Sequence, residues 1–136
     1  GNNIKGIVFQ YRDNKLIGNT DEIYSGDSFV ESITPINSCN KYSSIKVVFN
    51  IYNKQVIKEY TLNNDVISVE SFITNNDTNS FIFATCKITI DTNANLVTLT
   101  DREAYIVTLG ETSTKTGTTP QLYISKIYGV KNNLRN

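Results

Sequence analysis

Apolar and polar residues alternate along most of the chain, and a period of two predicts β-strands rather than helices. The alternating segments are, in chain order, 4–11, 28–36, 45–51, 56–62, 66–74, 80–90, 96–100, 104–110 and 120–131. Roughly nine short strands at near-regular spacing are typical of antiparallel β-proteins. The pattern therefore predicts an all-β fold, an antiparallel and jelly-roll-like β-sandwich, in one domain spanning residues 1–136.

Two of these segments carry conflicting signals. In 28–36, Pro35 cannot donate a hydrogen bond to a neighbouring strand, so this strand ends there or lies at a sheet edge. In 66–74, the apolar residues also fit one face of a helix. Their β-branched side chains favour a strand.

Three connections have turn chemistry. The tight Asn53-Lys54 step predicts a hairpin, because Asn tolerates the positive φ of a type I′ turn. The "DTNAN" stretch, 91–95, predicts a second hairpin. The polar segment 111–120 has no periodicity, and we expect a mobile loop.

The last alternating stretch, "PQLYISKIYGVK", ends close to the end of the chain. It places Leu122, Ile124 and Ile127 toward a core, with polar residues and tyrosines between them. We expect this strand to pair back into the sandwich. The opening Gly1 before two asparagines leads us to expect a carboxyl-terminal fragment of a longer protein.

Composition excludes several functions. The 13 basic residues are dispersed and balanced by 13 acidic ones, which argues against nucleic-acid binding. No apolar run is long enough to insert into a membrane. Asn and Thr supply a quarter of the chain, 18 and 16 residues, and Lys outnumbers Arg by ten to three. This bias follows AT-rich coding and predicts a low-GC bacterium or one of its viruses.

Two cysteines, Cys39 and Cys86, leave two possibilities open. A disulfide would close a long loop, whereas two free thiols would pack as small apolar side chains. We favour free thiols, because a domain of this size does not need a covalent staple.

The chain contains no histidine. This removes the commonest general base and metal ligand, so we expect no enzyme, no catalytic residues, no metal and no cofactor. A glycosidase-like carboxylate pair, for example Glu59 with Glu70, remains the alternative to two solvated acids. Asp91-x-Asn93-x-Asn95 mimics half of a calcium loop, but Leu96 and Arg102 stand where that loop needs Gly and Glu, so a hairpin turn is favoured.

The ending "YISKIYGVK" resembles the endings of tail-fibre and baseplate proteins of phages and prophages from Gram-positive bacteria. A second stretch, "IYSGDSFVESITPINSCNKYSSIKVVF", is similar to their upstream pattern. Together the two stretches cover about a third of the chain. The resemblance implies a compact carboxyl-terminal β-domain, commonly trimeric, at the distal tip of a fibre. It implies no particular site residues.

We therefore expect a receptor-binding domain of a virion tail that recognises a bacterial cell-surface glycan, with a homotrimer as its assembly. Sugar recognition combines aromatic faces with amide and carboxylate groups. Candidate residues lie in two predicted turns: Tyr52, Asn53, Asn75, Asn76, Asp77 and Asn79. Alternatives are a trimerising structural cap without a ligand and a carbohydrate-binding or adhesin module of a secreted protein. Val48 adds an apolar residue to the second face of its strand, which favours burial between protomers.

Overall fold

The structure is a computed structural model that describes residues 19–112, 114–115 and 120–131. Within these ranges the chain forms nine strands and one short 3₁₀ turn at Cys39–Lys41. The strands are β1 (Thr20–Ser25), β2 (Ser32–Ile33), β3 (Ser44–Ile51), β4 (Lys54–Thr61), β5 (Val66–Asp77), β6 (Ser80–Asp91), β7 (Leu96–Thr108), β8 (Thr114–Lys115) and β9 (Leu122–Val130). The predicted strand at 4–11 lies outside the described residues.

The strands form two antiparallel sheets that enclose one core. The four-stranded sheet has the order β1-β9-β3-β4. The five-stranded sheet has the order β2-β7-β6-β5, and β8 pairs with β7 beyond the stretch that β2 occupies. Alternate residues of both sheets supply the core, and the rings of Phe49 and Phe72 meet across it with centroids 5.0 Å apart. The predicted all-β sandwich is confirmed.

A jelly roll is not confirmed as the topology. In that arrangement the first strand pairs with the last, the second with the last but one, and so on inward. The pairs β1–β9 and β2–β7 have this long-range character. The pairs β3–β4 and β5–β6 are instead local hairpins, the first in the four-stranded sheet and the second in the five-stranded sheet.

The last strand occupies a central position, between β1 and β3. Leu122, Ile124 and Ile127 are all buried, as predicted. Leu122 and Ile124 are two positions apart, but Ile124 and Ile127 are three positions apart. The difference arises because Ser125 is an extra residue in the pairing with β3. This β-bulge leaves the Ser125 hydroxyl donating to the Val48 carbonyl at 3.2 Å.

Contacts with Tyr42 and Asp21 hold the end of β9 in place. The Tyr42 ring lies against Gly129 so closely that a Cβ there would approach the ring to 2.5 Å. The Tyr42 hydroxyl donates to Asp21 at 3.0 Å, and Lys131 Nζ lies 3.0 Å from the same carboxylate. The hydrogen bond from Lys131, followed by that from Tyr42, lowers the pKa of Asp21.

Several predicted boundaries were wrong. The sequence divided β7 into strands at 96–100 and 104–110, but a bulge at Asp101 keeps it continuous. The predicted strand 28–36 is reduced to two residues. In the loop 111–120, Thr114–Lys115 forms the short strand β8, and much of the rest lies outside the described residues. Strand β1 was not among the alternating segments.

Both cysteines are free and buried, which confirms the favoured interpretation. Burial raises the pKa of each thiol, that of Cys86 to about 12 with a further contribution from the Glu70 charge. Burial and the raised pKa both disfavour the thiolate form of these cysteines.

We expect Ile127→Ala to lower the free energy of unfolding by about 2–5 kcal/mol, because Ile127 is fully buried at the centre of the four-stranded sheet. The matched control is Ile57→Ala on the edge strand β4, where 43% of the residue is exposed. Its effect should stay within about 1 kcal/mol. Urea denaturation measures both, and equal losses would contradict the central role of β9.

Candidate functional site

The side chains of strand β6 alternate between the two faces of the five-stranded sheet. Its even-numbered residues from Ile82 to Ile90 are buried in the core, and its odd-numbered residues are half-buried on the outer face. Phe81 and Phe83 belong to the outer set. Two aromatic rings thus lie on a sheet face where an isolated sandwich usually carries polar side chains.

A bulge in β7 brings further apolar residues to this face. Asp101 has a φ of 54°, and Asp101 and Arg102 together face Cys86, between the pairs Thr100–Lys87 and Glu103–Thr85. The extra residue changes which side chains point outward. Tyr105 and Val107 consequently lie on the outer face, whereas Ala104 is buried.

The same bulge turns Arg102 inward. Its guanidinium lies 3.3 Å from the centroid of the Phe29 ring. Its Nη1 atom donates to the carbonyl oxygens of Pro120 and Leu122, at 2.9 and 3.0 Å. Arg102 therefore connects β7 with the beginning of β9 in the other sheet, and we assign it a structural role.

The strand register assembles the outward residues into two rows. Ile73 of β5 pairs with Phe83 of β6, which pairs with Tyr105 of β7. In the next row Phe81 lies between Asn75 and Val107. Neighbouring strands are about 4.8 Å apart, and alternate residues along a strand are roughly 6.6 Å apart. We call the five apolar members the outer patch: Ile73, Phe81, Phe83, Tyr105 and Val107.

The patch is an apolar and largely aromatic surface on one face of the sheet. Ile73 is 69% exposed, and the three aromatic residues and Val107 are half-buried by their neighbours on the sheet. Lys87 and Glu103 lie on the same face, and Lys115 of β8 is the cross-strand partner of Tyr105. Such a surface suits a partner with an apolar face.

The first predicted site, Tyr52 with Asn53, forms the turn between β3 and β4. Their φ angles are 48° and 69°, as a type I′ turn requires, so the turn lies one residue earlier than the predicted Asn53-Lys54 step. The backbone N–H of Asn53 donates a hydrogen bond to Asn50 Oδ1 at 3.1 Å. Tyr52 packs partly against the core, which limits the ring surface that it offers to a ligand.

The second predicted site forms the turn between β5 and β6. Asn76 Nδ2 donates to the Ser80 hydroxyl at 2.9 Å, and the Asn79 amide donates to Asp77 Oδ1 at 2.9 Å. The Asn79 bond, followed by one from Ser80, lowers the pKa of Asp77. These three residues stabilise their own turn, and Asn75 alone of this set borders the outer patch.

The two predicted sites lie in turns of different sheets, Tyr52–Asn53 in the four-stranded sheet and residues 75–79 in the five-stranded sheet. The aromatic residues that share a surface, Phe81, Phe83 and Tyr105, were not among the candidates. The signal in the sequence is the run Phe81-Ile82-Phe83, which is apolar on both faces of a strand.

Val48 does not serve as evidence for burial between protomers. It lies on the outer face of the four-stranded sheet but is only 5% exposed in the single chain. Its cross-strand neighbours are Ile57 and Lys126. The chain's own side chains cover it.

The proposed carboxylate pair is not formed. Glu59 accepts a hydrogen bond from the Ser44 hydroxyl at 2.6 Å. Glu70 was expected to be solvated, but it points to the interior side and accepts hydrogen bonds from Tyr60 at 2.6 Å and Ser68 at 2.9 Å. The two acids have separate structural partners.

Residues 91–95 form the hairpin turn that the sequence favoured over a calcium loop. Asp91 Oδ1 accepts from the Ala94 amide at 2.9 Å. Asn95 adopts a φ of 55°, accepts from the Cys39 amide at 2.9 Å and donates to the Pro35 carbonyl at 3.1 Å. Among the described residues no three potential metal ligands cluster, and no helix there has the length and hydropathy to cross a membrane.

Comparisons of the chain with protein-family models, with curated proteins and with solved structures found no match. The observations that bear on function are therefore the geometry of the outer patch and the sequence patterns.

The Tyr60–Glu70 hydrogen bond predicts a pH dependence of stability. Burial, and then the Glu70 carboxylate, raises the pKa of Tyr60 above its ordinary value of 10.0. In the unfolded chain this tyrosine ionises near pH 10, while in the folded chain it stays protonated. Its contribution is complete below pH 10 and is lost as pH rises above that value.

We expect Tyr60→Phe to reduce this alkaline loss of stability relative to the unmodified chain. Urea midpoints between pH 8 and pH 11 measure the effect. Tyr128→Phe is the control, because Tyr128 lies on the outer face of the four-stranded sheet, paired with Lys46. Parallel curves for the unmodified chain and Tyr60→Phe would contradict the assignment.

Proposed function

We propose that this chain is a non-enzymatic binding module that recognises a bacterial cell-surface glycan through the outer patch. The observation that carries the proposal is the row Ile73–Phe83–Tyr105, with Phe81 beside it, on the outer face of the five-stranded sheet. These residues contribute little to the core, so their side chains are available for a partner.

The chemistry of the surface fits a sugar chain. A pyranose ring has one face made largely of C–H groups, which packs on an aromatic ring. Its hydroxyls need donors and acceptors at the border of that contact. Asn75 borders one row of the patch, and Ser71 and Thr85 lie in the row on the other side of Ile73 and Phe83.

We place the module at the distal end of a phage tail fibre. The support is the resemblance of the carboxyl-terminal stretch and of the upstream "YSG" stretch to such proteins. The homotrimer and the virion location are implied by this resemblance alone.

A structural assembly role is the second candidate. Ile67 and Val69 of β5 are 69% and 75% exposed, and large apolar side chains at that exposure are typical of protein contacts.

The test of glycan binding compares two tyrosines on opposite outer faces. We expect Tyr105→Ala to weaken binding to a Gram-positive wall polysaccharide about tenfold or more, because it removes a stacking ring. Tyr128→Ala is the matched control, since Tyr128 lies on the outer face of the four-stranded sheet, paired with Lys46. Isothermal titration calorimetry measures both.

Binding that both variants retain equally would assign the ligand to another surface. Binding that neither the variants nor the unmodified chain shows across a panel of wall polysaccharides would favour the assembly role.

A further inference from the structure

Among the described strands, β5 is an edge strand whose outward-facing residues from Ile67 to Asn75 carry no charge. Natural sheets protect exposed edges with outward or inward-pointing charges, proline, bulges or very short strands. Among the described residues, the stretch 66–75 has one charged residue, Glu70, and no proline. Glu70 points inward, where it accepts a hydrogen bond from Tyr60 and lies 3.9 Å from Lys58 Nζ of β4. The bulge of β5 comes only after Asn75.

The other described edges differ from β5. The edge strand β1 carries Asp21 and Glu22, both in ion pairs with lysines. The edge strand β4 carries the exposed residues Lys54 and Glu59. Lys58 of β4 points inward, with its Nζ 5.7 Å from the centroid of the Phe72 ring of β5. The edge shared by β2 and β8 consists of two strands of two residues each. Of the longer described edges, those of β1, β4 and β5, only that of β5 has outward-facing side chains without a charge up to its bulge.

We propose that a second copy of this chain pairs along β5, antiparallel, with the twofold axis at Ser71. In this register Val69 of each copy faces Ile73 of the other, so exposed apolar side chains meet. Glu70 faces Phe72 rather than another acid. An axis one residue earlier would set the two Glu70 carboxylates opposite each other, which is destabilising.

The proposed contact between the two β5 strands is small. Pairing over residues 67–75 gives a strip of about 30 Å by 10 Å on each copy. This is smaller than the roughly 800 Å² per partner of a standard stable interface. We therefore expect a weak dimer that forms and dissociates with protein concentration.

The dimer would enlarge the binding surface. Both five-stranded sheets become one continuous sheet, and the two outer patches lie on the same face beside the shared edge. A polymer with repeating units could then contact both patches, which raises its apparent affinity. The pairing itself does not depend on the proposed glycan function, because it follows from the edge of β5 alone.

A cysteine pair tests the register directly. Ser71→Cys places two thiols opposite each other at the axis, within the Cα separation that a disulfide needs. Asn75→Cys is the matched control on the same strand and face, since each Asn75 faces Ile67 of the partner and the two thiols stay far apart. Both positions are exposed, so both variants should fold.

Under oxidation with diamide, we expect Ser71→Cys to form a covalent dimer at least about tenfold faster than Asn75→Cys. The reason is that the non-covalent dimer holds the two thiols at position 71 next to each other, which accelerates disulfide formation. Non-reducing electrophoresis measures the rates. Equal rates, or slower reaction of Ser71→Cys, would overturn the register.

Solution mass tests the edge itself. We expect sedimentation of the unmodified chain to show reversible dimerisation, and Val69→Lys to weaken it at least about tenfold by placing charge on the edge. Ile57→Lys, on the charged edge β4, should leave dimerisation unchanged. A chain that is monomeric at all concentrations would overturn the proposal and would leave the β5 edge to another occupant, such as residues outside the described ranges. A trimer that is insensitive to Val69→Lys would also overturn it.

Discussion

The sandwich depends on the insertion of β9 between β1 and β3. Without β9, the four-stranded sheet is reduced to the β3–β4 hairpin, because β1 pairs with β9 alone within the described chain. An isolated two-stranded hairpin is marginally stable in water. The buried row Leu122, Ile124 and Ile127 provides the apolar contact that holds β9 in place, and Arg102 and Tyr42 fix its two ends.

The outer patch depends on a different constraint, the position of a single extra residue in β7. Side chains alternate with a period of two, so one inserted residue exchanges the inward and outward sets. The bulge at Asp101 places Tyr105 and Val107 beside Phe83 and Phe81. It also directs Arg102 into the sandwich, where it contacts Phe29 and the start of β9. One local irregularity thus serves both the core and the outer patch.

The periodicity of the sequence predicted the sandwich and most strand positions, because burial on one face imposes alternation on β3, β6 and β9. It did not predict the bulge at Asp101, since alternation on either side of an extra residue has the appearance of two separate strands. It also missed the outer patch. Phe81, Phe83 and Tyr105 belong to different strands, and only the register of β6 with β7 brings them together. The residues chosen from turns, by contrast, were explained by turn geometry: Asn53 supplies a positive φ, and Asp77 accepts a hydrogen bond from the Asn79 backbone amide.

The central claim is that the outer patch, rather than either hairpin turn, contacts the ligand. Amide chemical shifts of the isotope-labelled chain during titration with a wall polysaccharide test it most directly. We predict that shifts concentrate at Phe81, Phe83 and Tyr105 and at their neighbours on β5. Shifts confined to Tyr52–Asn53 or to residues 76–79, with the outer patch unchanged, would contradict the claim.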